Sequence, residues 1–174
     1  QLDNTLILFL QDNGGCQEGV GRTGEGRRPA QPSLPAIARD AVRLDVIPKQ
    51  NRAGVPTLKG PGVMPGPEDT YLAYGINWAN VSNTPFREYK HFVHEGGIST
   101  PLVAHWPKGI KRRGELERQP GHLIDLMATC VDLAGAEYPR AIGGETIQPM
   151  EGVSLAPAFE GKPLARPNPI FWEH

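Results

Sequence analysis

The sequence has no excess of either charge, 18 Lys+Arg against 19 Asp+Glu over 174 residues. That balance argues against a general polyanion-binding surface, so no nucleic-acid partner is expected. No apolar run approaches the ~20 residues of a membrane span, and nothing at the start resembles a signal peptide. There are two cysteines, Cys16 and Cys130. Whether they pair cannot be read from two positions, no Cys-x-x-Cys or Cys/His spacing supports a zinc site, and the expected role of each is a small buried thiol. No internal repeat is visible. Glycine (21) and proline (18) are abundant instead. Most lie in long connections, which predicts extensive irregular structure around one core.

The chain is organised around residues 5–15. Thr5 to Leu10 is a short apolar run rich in β-formers, and it stops at Gln11-Asp12-Asn13-Gly14-Gly15. A run apolar on both faces predicts a strand buried in a mostly parallel sheet, since about six residues suits a strand better than a helix. In open α/β sheets ligands gather at the carboxyl ends of strands, where Asp12 and Asn13 sit. An anionic oxygen beside an amide oxygen suits a hard cation such as Ca²⁺ or Mg²⁺. A plain turn accounts for the same residues, because Asp-Asn-Gly is a common turn former. Gly14 and Gly15 permit the positive φ values that leaving a strand often needs.

From Gln17 to Gly66 there is little periodicity, which predicts a loop tract of the kind that walls or covers a site. Within it Arg22, Arg27 and Arg28 are expected in a solvated loop, with an anion contact as the alternative. Glu68 to Val81 predicts a short helix with Tyr71, Leu72, Ile76 and Trp78 as apolar positions and Glu68 or Asp69 near its start. Pro101 to Trp106 predicts a second strand. His122 to Ala134 is the clearest helix, its apolar positions 123, 124, 126, 127, 130, 131, 133 and 134 forming one broad face. Gly135 suits its C-terminal end, and Asp125 and Asp132 are expected in solvent. Ser154 to Glu160 predicts a further short helix, with Ser154 as N-cap and Gly161 as its stop. The chain closes on the strand-like run Ile170-Phe171-Trp172-Glu173-His174. Buried strands need neighbours on both sides, so both ends look cut, as in a piece of a larger protein. The order strand, helix, strand, helix, strand predicts a layered α/β domain.

One tract is more specific. Residues 78–102 hold Lys90, then Glu95-Gly96-Gly97 five residues later, and lead into an apolar strand ending in Trp106-Pro107. This resembles the arylsulfatases. Three further features resemble the same family in order and spacing: Asp12-Asn13-Gly14-Gly15, the helix Ile124-Asp125-Leu126-Met127 leading to Leu133-Ala134-Gly135-Ala136, and the closing Phe171-Trp172-Glu173-His174. The resemblance implies an alkaline-phosphatase-like α/β/α sandwich, present as a partial domain, with residues 1–174 as the C-terminal part of a single catalytic domain. It implies hydrolysis of sulfate monoesters, small-molecule or carbohydrate, with Asp12 and Asn13 as two oxygen ligands of a divalent cation, usually Ca²⁺. Lys90 would contact the sulfate group. Glu95 is expected to order its loop, and His91, His94 and His105 have no assigned proton-transfer role.

The family's nucleophile is a formylglycine made in a Cys/Ser-x-Pro-x-Arg context, and this chain lacks that context. Cys16 is followed by Gln17-Glu18-Gly19, Cys130 by Val131-Asp132-Leu133, and Ser33-Leu34-Pro35 by Ala36-Ile37. The nucleophile is therefore expected in a missing N-terminal half of the same protein, and this fragment alone is expected to be inactive. Two alternatives stay open: a phosphatase or phosphonate monoester hydrolase of the same superfamily, and a non-catalytic sulfatase-like anion-binding fragment. The resemblance is compatible with a periplasmic or secreted protein.

Overall fold

The computed structural model describes residues 1–22 and 33–171. Arg27, Arg28 and the closing Trp172-Glu173-His174 lie outside the described residues. After a 3-10 turn at Leu2–Asn4 come β1 (Ile7–Leu10), α1 (Gly75–Asn83), α2 (Glu95–Ile98), β2 (Leu102–His105), α3 (Ile124–Ala134), β3 (Ala141–Ile142), β4 (Glu145–Thr146) and α4 (Ala156–Phe159). The chain divides into two compact units. One comprises Gln1–Asp12 and Pro101–His174, the other Asn13–Thr100.

In the first unit β1 pairs antiparallel with β2, Ile7 opposite His105 and Leu10 opposite Leu102. This corrects the expectation of a strand buried in a parallel sheet. Ile7 and Phe9 are exposed, because among the described residues this sheet has two strands and nothing covers that face. The turn after β2 is tied to the chain start: Trp106 Nε1 donates to Asn4 Oδ1 at 3.2 Å, and Lys108 Nζ pairs with Asp3 at 3.0 Å.

Helix α3 forms where the spacing predicts it. Gly135 ends it in the left-handed conformation (φ 60°, ψ 30°), and the N–H groups of Gly135 and Ala136 donate to the carbonyls of Asp132 and Val131 in a Schellman pattern. Its buried stripe, however, is Asp125, Ala128 and Thr129, not the broad apolar face, where Leu123, Ile124, Met127 and Leu133 are exposed. The stripe faces the segment 152–159, with Thr129 Oγ1 accepting from the Leu155 N–H at 2.8 Å. Ala128, Leu155 and Phe159 form the small core there. Cys130 is exposed, not buried, and both cysteines are free thiols. At α4, Ser154 Oγ accepts from the Ala156 N–H at 3.1 Å and Gly161 follows at φ 76°. β3 and β4 make a two-residue hairpin on Gly143 and Gly144, both at positive φ.

In the second unit α1 begins at Gly75, later than the sequence suggests, because Gly75 stands at φ 77° and the chain before it is irregular. Glu68 and Asp69 are therefore loop residues. Glu68 accepts a hydrogen bond from Asn51 Nδ2 at 2.9 Å, and Asp69 is buried. The described part of the 17–66 tract is irregular as predicted, and the unit's buried apolar residues are Leu58 in that tract and Ala79 in α1.

Candidate functional site

Residues 13–15 and 83–97 of the second unit meet through backbone. The Gly14 N–H donates to the Gly97 carbonyl at 2.9 Å and the Lys90 N–H to the Gly15 carbonyl at 3.1 Å. Four glycines make this approach possible. A Cβ on Gly14 would lie 1.6 Å from the Gly96 oxygen, one on Gly96 would lie 2.2 Å from the Glu88 oxygen, and one on Gly97 would lie 2.0 Å from the Phe92 oxygen. On Gly15 it would lie 2.8 Å from Ser82 Oγ. Neither Gly14 nor Gly15 is at positive φ. The expectation that they serve left-handed backbone is corrected: they are required for space.

The carboxamide of Asn83, at the C-terminal end of α1, joins these segments. Its Oδ1 accepts from the Gly15 N–H at 2.9 Å, and its Nδ2 donates to the carbonyls of Glu88 and Gly96, both at 2.8 Å. Two carbonyls on one side and an N–H on the other fix the amide's orientation. Asn83 was not singled out from sequence. An Asn before Thr-Pro at a helix end signals a chain reversal, but nothing local signals a bond across 68 residues. The Thr84-Pro85 peptide is cis.

Lys90 sits half-buried on this loop, between Glu88 and His91, both at positive φ. Among the described residues its ammonium makes no ion pair. Glu18, which feels the charge of Lys90, has its carboxyl held below the usual carboxylate range, because it accepts from Cys16 Sγ and, second, from His91 Nε2. Those contacts are 3.4 and 3.3 Å long. Glu95 opens α2, and its carbonyl accepts from the Ser99 N–H at 2.8 Å. Its side chain bonds nothing among the described residues, so the loop is ordered by its backbone and not by its carboxylate. His94 is exposed and precedes α2, and the exposed His105 ends β2 in the other unit. Arg87 is exposed, 3.8 Å from Glu88.

The division between the units falls between Asp12 and Asn13. Asp12 is an exposed carboxylate just beyond β1. Asn13 is half-buried, and its Nδ2 donates to the Gly14 carbonyl at 2.9 Å, which leaves Oδ1 as an oxygen donor. One carboxylate and one amide oxygen fit the chemistry of a hard cation but supply two of the 6–8 oxygens that Ca²⁺ takes. Among the described residues no group of three His, Cys, Asp or Glu is placed to hold a metal.

In the first unit Asp125 overturns its sequence reading. It is fully buried. Its Oδ2 accepts from the His122 N–H at 2.7 Å and from Arg166, and its Oδ1 accepts from the Val153 N–H at 2.9 Å. His122 Nδ1 in turn accepts from the Ile124 N–H at 3.3 Å, at the first residue of α3. Asp132 is exposed as expected and bonds Ser154.

Residues 87–159 match the family N-sulphoglucosamine sulphohydrolase, C-terminal, which takes in Lys90, the glycine pair and Asp125 but not Asp12, Asn13 or Asn83. The arylsulfatase of Klebsiella aerogenes is 32% identical over 102 residues, 58% of this chain and 22% of that protein. The N-acetylgalactosamine-6-sulfatase of Sus scrofa is 38% identical over 89 residues, 49% of this chain and 15% of the relative. An uncharacterized sulfatase of Schizosaccharomyces pombe is 25% identical over 167 residues, 94% of this chain and 26% of the relative. By these matches the chain is similar to sulfatases, and the part it resembles is their C-terminal portion. The chain spans about a quarter or less of the length of these relatives. No helix among the described residues is long and apolar enough to cross a membrane.

Proposed function

We propose that the protein carrying this chain hydrolyses sulfate monoesters, and that the chain contributes Lys90 as a sulfate-binding cation and Asp12 and Asn13 as ligands of a divalent cation such as Ca²⁺. The observation that carries this reading is Lys90: a half-buried residue whose ammonium has no ion pair among the described residues, on a loop whose backbone bonds Gly14 and Gly15. A lysine held in this way keeps its charge for an external anion and is a compact point charge for one sulfuryl oxygen. Hydrolysis places charge on the sulfuryl and leaving oxygens, and a pre-positioned ammonium stabilises that charge without reorganising. A bound cation would add Lewis-acid stabilisation at the same oxygens. The nucleophile, expected as formylglycine, lies outside this chain, so the chain alone is inactive. The complete domain adopts the alkaline-phosphatase-like sandwich of which this chain forms part.

The test is hydrolysis of 4-nitrophenyl sulfate by the full-length gene product, co-expressed with a formylglycine-generating enzyme. Lys90→Ala and Asp12→Ala are each expected to lower kcat/KM by about 10²–10³-fold, as for loss of one pre-organised charge contact. Wild-type activity is expected to fall on chelation of divalent cations. Full activity in both folded variants would remove these residues from the site. Turnover of a phosphate monoester in place of the sulfate would move the protein to the phosphatase alternative.

A further inference from the structure

We propose that Asn83 is the positioning residue of this site, the one side chain that sets Lys90 and Asn13 in a fixed relation. The proposal rests on the sulfatase reading above and deepens it. Lys90 rides on the loop 88–96, and the two carbonyls that close that loop, those of Glu88 and Gly96, both accept from Asn83 Nδ2. The same amide's Oδ1 holds the Gly15 N–H, and the carbonyl of Gly15 receives the Lys90 N–H. Gly15 is thus clasped on both sides, by Asn83 on its N–H and by Lys90 on its carbonyl. Asn13 lies two residues before it, in the segment whose Gly14 donates to Gly97. Asn83 therefore acts through its neighbours, and no contact of its own with substrate is needed.

No other amino acid supplies this pattern in the same space. Aspartate keeps the acceptor for Gly15 but turns a carboxylate toward two carbonyls. Alanine and serine lose most of the bonds. Placing a reacting group correctly matters steeply, since an ångström of misplacement costs roughly 10²-fold in rate.

The experiment uses the full-length protein as wild type, Asn83→Ala, Asn83→Asp, Lys90→Ala and the double variant Asn83→Ala/Lys90→Ala. Asn83→Ala and Asn83→Asp are expected to lower kcat/KM on 4-nitrophenyl sulfate by about 10²-fold, chiefly in kcat. With Ca²⁺ saturating, so that weaker cation binding through Asn13 does not enter the rate, the double variant is expected to be no slower than Lys90→Ala, because Asn83 then acts through a group already removed. Amide hydrogen exchange is expected to quicken at Gly15, Lys90 and Gly97 while α3 keeps its protection. Tb³⁺, a luminescent stand-in for Ca²⁺, is expected to bind about 10–100-fold more weakly, the effect of losing an outer partner of a metal ligand. An Asn83→Ala enzyme within about twofold of wild type, or losses that multiply in the double variant at saturating Ca²⁺, overturns the proposal. Unchanged Tb³⁺ binding overturns its Asn13 half. If wild type turns over no sulfate ester, the functional reading fails by itself, and exchange still decides whether Asn83 holds the loop. Should Asn83→Ala not fold, Asn83→Ser gives the same readouts.

Discussion

The two units solve the same problem, holding distant segments together with a small apolar core, by different means. In Asn13–Thr100 the joints are backbone against backbone, made possible by Gly14, Gly96 and Gly97 and closed by the neutral amide of Asn83. In the unit of Gln1–Asp12 and Pro101–His174 the joint is a charge: Asp125, 0% exposed, gathers Arg166, the N–H of Val153 and the N–H of His122. A backbone joint tolerates no added atoms but involves no buried charge. A carboxylate joint tolerates some change of shape but cannot lose a partner without leaving a charge stranded. The difference suits their contents. The backbone joint carries Lys90, whose charge stays unpaired among the described residues, whereas the charged joint consumes its ions internally.

Breaking the charged joint is expected to give the largest effect on stability. Asp125→Ala leaves the Arg166 guanidinium, 16% exposed, and two backbone N–H groups without their acceptor. The expected loss is about 3–5 kcal/mol, measured by urea unfolding of the full-length protein. A buried ion pair can often be replaced by apolar residues at no cost, and here that should fail. Asp125→Leu with Arg166→Met still strands the His122 and Val153 N–H groups, at roughly 1–3 kcal/mol each. A double variant as stable as wild type would show that the His122 and Val153 N–H groups do not depend on the carboxylate.

The backbone joint is tested by adding one carbon. Gly14→Ala sets a methyl against the Gly96 oxygen, where neither side is a flexible side chain, and is expected to cost about 1–3 kcal/mol or more. Gly19→Ala is the control. Its added Cβ meets nothing within 4 Å, and its effect should stay within about 0.5 kcal/mol. Equal effects at the two positions would mean that the segments separate easily and that the joint does not hold the loop.

What the sequence made legible divides along the same line. Local signals were readable: the apolar spacing of α3 and its glycine stop, the Pro101–Trp106 strand, the irregular tract after Gln17, and the glycine pair beside Lys90. The partners of a side chain were not. Asp125 was expected in solvent because seven-residue spacing from Asp132 puts both on one helix face, yet its partners Val153 and Arg166 lie 28 and 41 residues away. Periodicity also placed the buried face of α3 on its large apolar residues. Burial follows the neighbour that is present, the 152–159 segment, and that neighbour meets Asp125, Ala128 and Thr129. Asn83 escaped notice for the same reason.

The smallest expected effect concerns the edge of the backbone joint, where one ionic contact does reach the Lys90 loop. Glu18 accepts from Cys16 and His91, and its carboxyl is held below its ordinary value of 4.5 by those two bonds in that order. A carboxylate with a depressed pKa in the folded protein favours folding above its unfolded value, and that contribution fades as the pH falls through the folded one. Its anchoring of the loop should therefore be intact at neutral pH and lost only below about 4.5. Both groups are largely exposed, so solvent screens the pair and the effect stays local. Hydrogen exchange at Lys90 and His91 in Glu18→Gln, compared with wild type at pH 7 and at successively lower pH below 4.5, checks this. A difference at pH 7 that closes as the pH falls below 4.5 assigns the anchoring to the carboxylate. No difference at either end of that range would give it to the bonds within 13–15 and 83–97 alone, leaving the second unit without any charged joint at its site.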